Sequence, residues 1–153
     1  MTPNSVQTHV SIDTTDLAAS AAFYRALLGA EPALERHDYA RFDVAEPPLV
    51  LGLNAVRKAP ARSSGALEHL GLRFGDDGAL DAARQRLQRL GAKLEEEADV
   101  ECCYSRLARL WATDPSGIRW ELFVAREAVV EAASRAGSSG SCCEPTCCST
   151  DRA

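Results

Sequence analysis

No cysteine occurs in the first 101 residues of this 153-residue chain, and all six that follow stand in adjacent pairs. Other absences bound the problem more broadly. There is no excess of basic charge: 22 acidic residues against 17 basic ones give a net charge of −5, which argues against nucleic acid as a partner. No apolar run approaches membrane-spanning length, and the opening "MTPNSVQTHVSID" lacks the apolar centre of a secretory leader. The expected location is therefore the cytoplasm. Thiols stay reduced there, and cysteine clusters serve metals or redox chemistry more often than structural bridges. With 46% hydrophobic residues and only seven prolines, the chain suits one globular domain.

What is present is a repeat. The first half reads "THVSID" followed by the amphipathic "DLAASAAFYRALLGAE"; the second reads "EHLGLRF" followed by "GALDAARQRLQRLGAK". Each begins with a strand pattern carrying one histidine, His9 or His69, and each helix ends in Leu-Gly-Ala. Leu17, Ala21, Tyr24 and Leu28 recur at helical spacing, as do Leu80, Ala83, Leu87 and Leu90. Asp13, Thr14 or Thr15 can cap the first helix and Asp76 or Asp77 the second, while Gly29 and Gly91 suit left-handed stops. Strand-like runs follow near 32–37, 39–45 and 49–55, and again near 92–97, 106–113 and 118–125. The turn signals "EPP" and "DPSG" precede the last strand of each half.

The expected fold is thus α+β: two tandem β-α-β-β-β modules forming an open, barrel-like mixed sheet, with helices on its outer face. Module one spans about 5–56, a linker 57–66 and module two about 67–126, so that residues 1–126 form a single domain. From 127 to 153 a short helix over "EAVVEAASRA" and a cysteine-rich tail are expected.

Side chains alternate faces along a strand, so parity shows which residues share a surface. Val6, Val10 and Ile12 fall on one face of the first strand and Gln7, His9 and Ser11 on the other. Leu70, Leu72 and Phe74 oppose His69, Gly71 and Arg73; Trp120, Leu122 and Val124 oppose Arg119, Glu121 and Phe123. With the apolar faces under the helices, His9, His69 and Glu121 all project from the other side. Trp111 and Trp120 are expected in the core, and His37 in an exposed turn. Counting from the turn prolines, the first-half position matching Glu121 is Leu53, or Gly52 if the turn is one residue shorter. Neither can bind metal. Two histidines and one carboxylate with open positions make the donor set of non-haem Fe(II) oxygen chemistry; a fourth ligand would have favoured a Lewis-acid isomerase. Two hydrogen-bonded surface histidines would give the same pattern, and parity does not separate the two cases.

The doubled unit with these residues resembles the vicinal oxygen chelate superfamily, which includes glyoxalase I, extradiol dioxygenases and fosfomycin- and bleomycin-resistance proteins. Within it, "HDYARFDVAEPPLVLGL", "LEHLGLRF" and "CCYSRLARLWATDPSGIRWELFV" are similar to carbon–arsenic lyases and the related cadmium-induced proteins. The resemblance covers about 5–126. It implies Fe(II) held by His9, His69 and Glu121, with dioxygen as co-substrate and Ni, Co or Zn able to substitute for iron. It implies that Cys102 and Cys103 bind the arsenic of a trivalent organoarsenical such as methylarsenite or a reduced aromatic arsenical. The carbon–arsenic bond would be cleaved to arsenite, which detoxifies the compound.

Soft thiolates suit arsenic as imidazole and carboxylate suit iron. Neighbouring cysteines on a regular strand would point to opposite faces, so 98–104 is expected to be an irregular loop able to close over the metal. The acidic "LEEEADVE" should raise the thiol pKa values, unless Arg106 or Arg109 offsets it. Tyr104 can line the pocket or pack as an ordinary aromatic. In the tail, Cys142, Cys143, Cys147 and Cys148 place four thiols within seven residues, outside any zinc-module spacing. They suit metalloid capture, or are merely tolerated. The small-molecule arsenical is the expected partner, with no nucleic acid and no membrane, in a monomer or homodimer. Two other functions fit the same chain: a cadmium- or arsenic-binding protein without turnover, and a glyoxalase-like metal-dependent isomerase.

Overall fold

A computed structural model describes residues 6–59, 67–102 and 105–128, with side chains described for all of these except 97–102, 105–108 and 125–128. The tail cysteines, Cys103, Tyr104 and most of the linker lie outside the described residues, as does the expected terminal helix beyond Ala128.

The elements run β1 (Thr8–Thr14), α1 (Leu17–Leu28), β2 (Leu34–Glu35), β3 (Tyr39–Val44) and β4 (Leu49–Ala55), then β5 (Leu70–Phe74), α2 (Asp77–Leu90), β6 (Lys93–Cys102), β7 (Ser105–Thr113) and β8 (Arg119–Ala128). They form two four-stranded mixed sheets, ordered β1-β4-β3-β2 and β5-β8-β7-β6. The doubled unit is as expected from the sequence, but the sheets do not close into a barrel. In each module the first and last strands pair in parallel, which requires a crossover connection that the helix provides.

Local chemistry sets the helix ends. The Asp16 carboxylate accepts from the Ala19 amide at 2.9 Å and starts α1, displacing the expected Asp13, Thr14 or Thr15. Asp13 and Thr14 are engaged otherwise, because β1 pairs with β4 through Thr14. Asp76 caps α2 in the same way at 2.8 Å. Gly29 and Gly91 take left-handed φ values of 65° and 74°, as a helix stop requires. Arg86 of α2 donates from Nε to the Ala26 carbonyl at 2.7 Å, so one helix satisfies the carbonyl end of the other.

Several boundaries differ from expectation. Val6 precedes β1 and is exposed, because the ladder with β4 begins only at Thr8. The run at 32–37 shortens to Leu34–Glu35, a two-residue strand starting beyond Pro32, which has no N–H to donate. Leu90 is exposed despite its helical spacing. At the far end β8 continues to Ala128, so Glu127 and Ala128 belong to a strand and not to the expected helix. The segment 98–102 is also strand: β6 pairs with β7 up to Cys102 opposite Ser105, with a register shift between Glu97 and Val100. Among the described residues, the expected irregular loop is therefore reduced to that shift.

One apolar core joins the modules. Phe23, Tyr24 and Leu27 of α1, Phe42 of β3, Leu51 and Leu53 of β4, Leu87 of α2 and Leu122 of β8 are almost wholly inaccessible. Trp120 is buried in this core, as expected, whereas Trp111 is buried on the opposite face of its sheet, against His69. At the centre of the shared core, the Tyr24 hydroxyl donates to Asp114 Oδ2 at 2.7 Å and accepts from Trp120 Nε1 at 3.2 Å. Asp114 Oδ1 accepts from the Ile118 amide at 2.7 Å, so one carboxylate holds both the β7–β8 turn and the other module's helix. Burial first, and then the Asp114 charge, push the Tyr24 phenol far above the ordinary tyrosine range.

Removing a partner here leaves buried polar groups unsatisfied. Asp114→Ala should therefore lower unfolding stability by about 3 kcal/mol, read from urea denaturation midpoints, because Tyr24 and the Ile118 amide lose their acceptor together. The raised Tyr24 pKa contributes stability that is complete below the ordinary phenol value of about 10 and declines above it, as the unfolded chain ionises first. The stability difference between the wild type and Tyr24→Phe should accordingly shrink as pH rises past that value.

Candidate functional site

On both sheets, burial alternates as parity predicts. Ile12 and Thr14 of β1, Leu72 of β5 and Trp120, Leu122 and Val124 of β8 turn inward, and the residues between them line the open faces. β8 lies between β5 and β7, and Glu121 stands opposite Gly71 on one side and Trp111 on the other. Gly71 borders the Glu121 carboxylate: a Cβ there would be in ordinary contact with Oε2, 3.8 Å away. His69 arrives from the residue just before β5 and brings its Nε2 to 3.4 Å from Glu121 Oε2. Two of the three expected ligands are thus side by side.

Each is held from behind. The Nδ1 atom of His69 meets the Glu68 carboxylate, so Nε2 is the nitrogen turned toward Glu121. The His69 ring stands edge-on to Trp111, with centroids 5.0 Å apart. Arg109 of β7 brings Nε to 2.6 Å from Glu121 Oε1, at a site where both side chains are largely buried. Arg119 lies over the Trp111 ring at 4.2 Å and closes its outer side. Parity analysis of the first and last strands reaches Arg119 but not Glu68, Arg109 or Trp111. The same alternation extended to β7 would have found Arg109 and Trp111, which are odd-numbered like Glu121. Arg109, weighed from sequence as a neighbour of the cysteines, serves Glu121 instead.

The first module has the matching arrangement with one substitution. His9 faces outward from β1, and the ladder pairs Ser11 with Gly52 as it pairs Gly71 with Glu121. This register settles the repeat equivalence: Gly52, and not Leu53, occupies the position of Glu121. A Cβ at Gly52 would meet Tyr39 Oη at 3.2 Å and His9 Nε2 at 3.7 Å. Among the described residues, no three of His, Cys, Asp and Glu converge as a metal-holding group. The structure therefore joins His69 with Glu121 and leaves His9 on the other sheet, beside Tyr39. A neutral imidazole nitrogen and a carboxylate oxygen facing each other at this separation fit two adjacent ligands of one cation.

Cys102 ends β6 in the same sheet as His69 and Glu121. The side chains of Cys102 and Cys103 lie outside the description, as do Tyr104, Cys142, Cys143, Cys147 and Cys148. A cleft of about 310 Å³ opens on the helix side of the molecule, lined by Ala19, Phe23, Leu90 and Pro115 among others; none of the residues described above as the site lines it. Among the described residues no helix is long and apolar enough to cross a membrane.

Comparison with known proteins bears on both fold and site. Residues 7–122 match the Glyoxalase/Bleomycin resistance protein/Dioxygenase superfamily. The chain is 37% identical over 117 residues to the "Trivalent organoarsenical cleaving enzyme" of Thermomonospora curvata, covering 76% of each chain. It is 36% identical over 114 residues to "Cadmium-induced protein CadI" of Mycobacterium tuberculosis, covering 74% of this chain and 72% of that one. Among solved structures, a glyoxalase/bleomycin resistance protein/dioxygenase from Alicyclobacillus acidocaldarius superposes with a TM-score of 0.63. It shares 19% identity, over 80% of this chain and 92% of that one. With its doubled strand–helix unit, its split pairs of site residues and relatives of these two names, the chain belongs to the glyoxalase, bleomycin resistance protein and dioxygenase superfamily.

Proposed function

We propose that this protein cleaves the carbon–arsenic bond of trivalent organoarsenicals, releasing arsenite. The juxtaposition of His69 and Glu121 in the sheet that ends β6 at Cys102 carries the reading, and the names of the relatives support it. His69 and Glu121 hold an Fe(II) ion and His9 is its third protein ligand. Bound iron would supply the binding and activation of dioxygen. Cys102 and Cys103 hold the arsenic: a centre with one carbon substituent exchanges two oxygen ligands for two thiolates and keeps its carbon. For methylarsenite the balance is one dioxygen consumed, with arsenite and formaldehyde formed; the methyl carbon is oxidised by four electrons and dioxygen is reduced by four. Arg109 holds and orients Glu121, and Glu68 keeps the His69 Nε2 turned outward.

A second reading, favoured by the name of the cadmium-induced relative, is a thiol-based cadmium or arsenic binder without turnover. An isomerase on this scaffold is disfavoured by Gly52, which leaves the fourth ligand position without a donor. The tail pairs Cys142–Cys143 and Cys147–Cys148 belong to metalloid capture under either reading. Chains ending at residue 128 should bind less arsenite per chain while retaining turnover.

The deciding measurement is anaerobic loading with Fe(II), addition of methylarsenite, then air, with arsenite and formaldehyde followed together. Equal amounts of both are expected, and no arsenite above a metal-free control would leave only the binding reading. His69→Ala and Glu121→Ala should lower turnover at least 100-fold, roughly the upper range for loss of metal-site groups. Ser at Cys102 or Cys103 should abolish arsenical binding while the iron content stays at one per chain. Because His9 stands on a different sheet from the other two ligands, mixing His9→Ala with Glu121→Ala chains separates two assemblies. Recovered activity means that two chains share each site; none means that each chain completes its own.

A further inference from the structure

Repeat-equivalent positions on the two open faces can be matched residue by residue. In module two, Trp111 of β7 is opposite Glu121 and Arg109 is opposite Phe123, two residues along. In module one, Arg41 of β3 is opposite Gly52 and Tyr39 is opposite Asn54, again two residues along. Tyr39 is therefore the counterpart of Arg109, as Gly52 is of Glu121. Both long side chains lean along the sheet toward the same equivalent point. Arg109 finds a carboxylate there. Tyr39 finds a glycine, and its hydroxyl fills the space a side chain would have taken, 3.2 Å from where the Cβ would stand. His9 Nε2 borders the same point at 3.7 Å, as His69 Nε2 borders the Glu121 carboxylate.

We propose that Tyr39 is a further catalytic residue of the site, whose hydroxyl borders the vacant fourth ligand position and donates a hydrogen bond to the small molecule bound beside His9. This rests on the metal-site reading above. A phenol suits the place for two reasons. It is neutral in its protonated form and so competes weakly with imidazole and carboxylate as a ligand, leaving the coordination position open. It is also a donor, whereas a carboxylate at Gly52 would be an acceptor and would repel an anionic occupant. Gly52 favours this placement for a steric reason: a Cβ there would stand 3.2 Å from the hydroxyl and push it off this point by a few tenths of an ångström.

The test uses the full chain loaded anaerobically with Co(II), whose visible spectrum reports both metal uptake and exogenous ligands, with azide as the probe. Tyr39→Phe should keep the Co(II) affinity within about twofold of wild type and weaken azide binding about tenfold, the loss of one hydrogen bond to an anion. Gly52→Ala should weaken azide too, because its methyl group displaces the hydroxyl, and the double variant should lose no more than Tyr39→Phe alone. Unchanged azide affinity in Tyr39→Phe overturns the proposal. So does a fall in Co(II) affinity as large as that of His9→Ala, which would make the phenol a metal ligand. If the wild type takes up no more Co(II) than His69→Ala, the metal-site reading itself fails, and the role of Tyr39 falls with it. Unfolding midpoints of the variants show whether any loss reflects the fold.

Discussion

The parallel pairing of first and last strands is the constraint on which the rest of this molecule depends. Neighbouring parallel strands cannot be joined by a tight turn, so each module must carry its chain across one face of its sheet. The helix that makes the crossing has to be covered by apolar side chains, and alternation then fixes what the opposite face carries. Leu72, Trp120 and Leu122 go under α2; His69, Glu121 and their supports come out on the other side. Because the unit occurs twice, the open face of module one presents a matching set at His9, Gly52 and Tyr39. The Tyr24–Asp114 bond then ties α1 to the turn that delivers β8, so the strand bearing Glu121 starts from a point fixed by the other module.

Features set by local periodicity were legible in the sequence. The doubled unit, both helices, the glycine stops and the outward parity of His9, His69 and Glu121 follow from spacing alone. What was not legible depends on partners distant in the chain. Nothing in "EEEADVEC" alternates in the way a half-buried strand should, yet it forms the second half of β6, because β7 offers a ladder as far as Ser105. Asp13, Thr14 and Thr15 read as caps of α1 in the sequence, and the choice of Asp16 instead is made by the length of the β1–β4 pairing. Counting from turn prolines left Leu53 and Gly52 open, and only the register across β1 decides for Gly52. Tyr39 was invisible for the same reason. Its place in the site is defined by a glycine two strand positions away on β4, and a glycine gives no sequence signal of what fills its space.

The electrostatics of Glu121 limit what the site can do. One carboxylate oxygen is already engaged by Arg109 at 2.6 Å, and the other faces His69. A cation at this place therefore meets a single oxygen from Glu121, since two-oxygen binding would break the arginine pair. That pair is short and largely buried, which makes breaking it costly. On the proposed reading, one oxygen serves orientation and the other is left for coordination.

That economy gives the asymmetry of the repeat its meaning. Two identical modules would offer two histidines and two carboxylates, a filled donor set of the kind that suits polarising a carbonyl. Replacing one carboxylate with Gly52 removes a ligand without disturbing the sheet, because β4 keeps its ladder to both neighbours. The Tyr39 hydroxyl takes up the released space, so the change leaves a polar, shaped position and not a void. On the proposed reading, soft-atom capture falls to residues at the end of β6, a strand that carries neither histidine nor Glu121. The proposed hard and soft ligands thus come from different strands, and each set can change without unmaking the other.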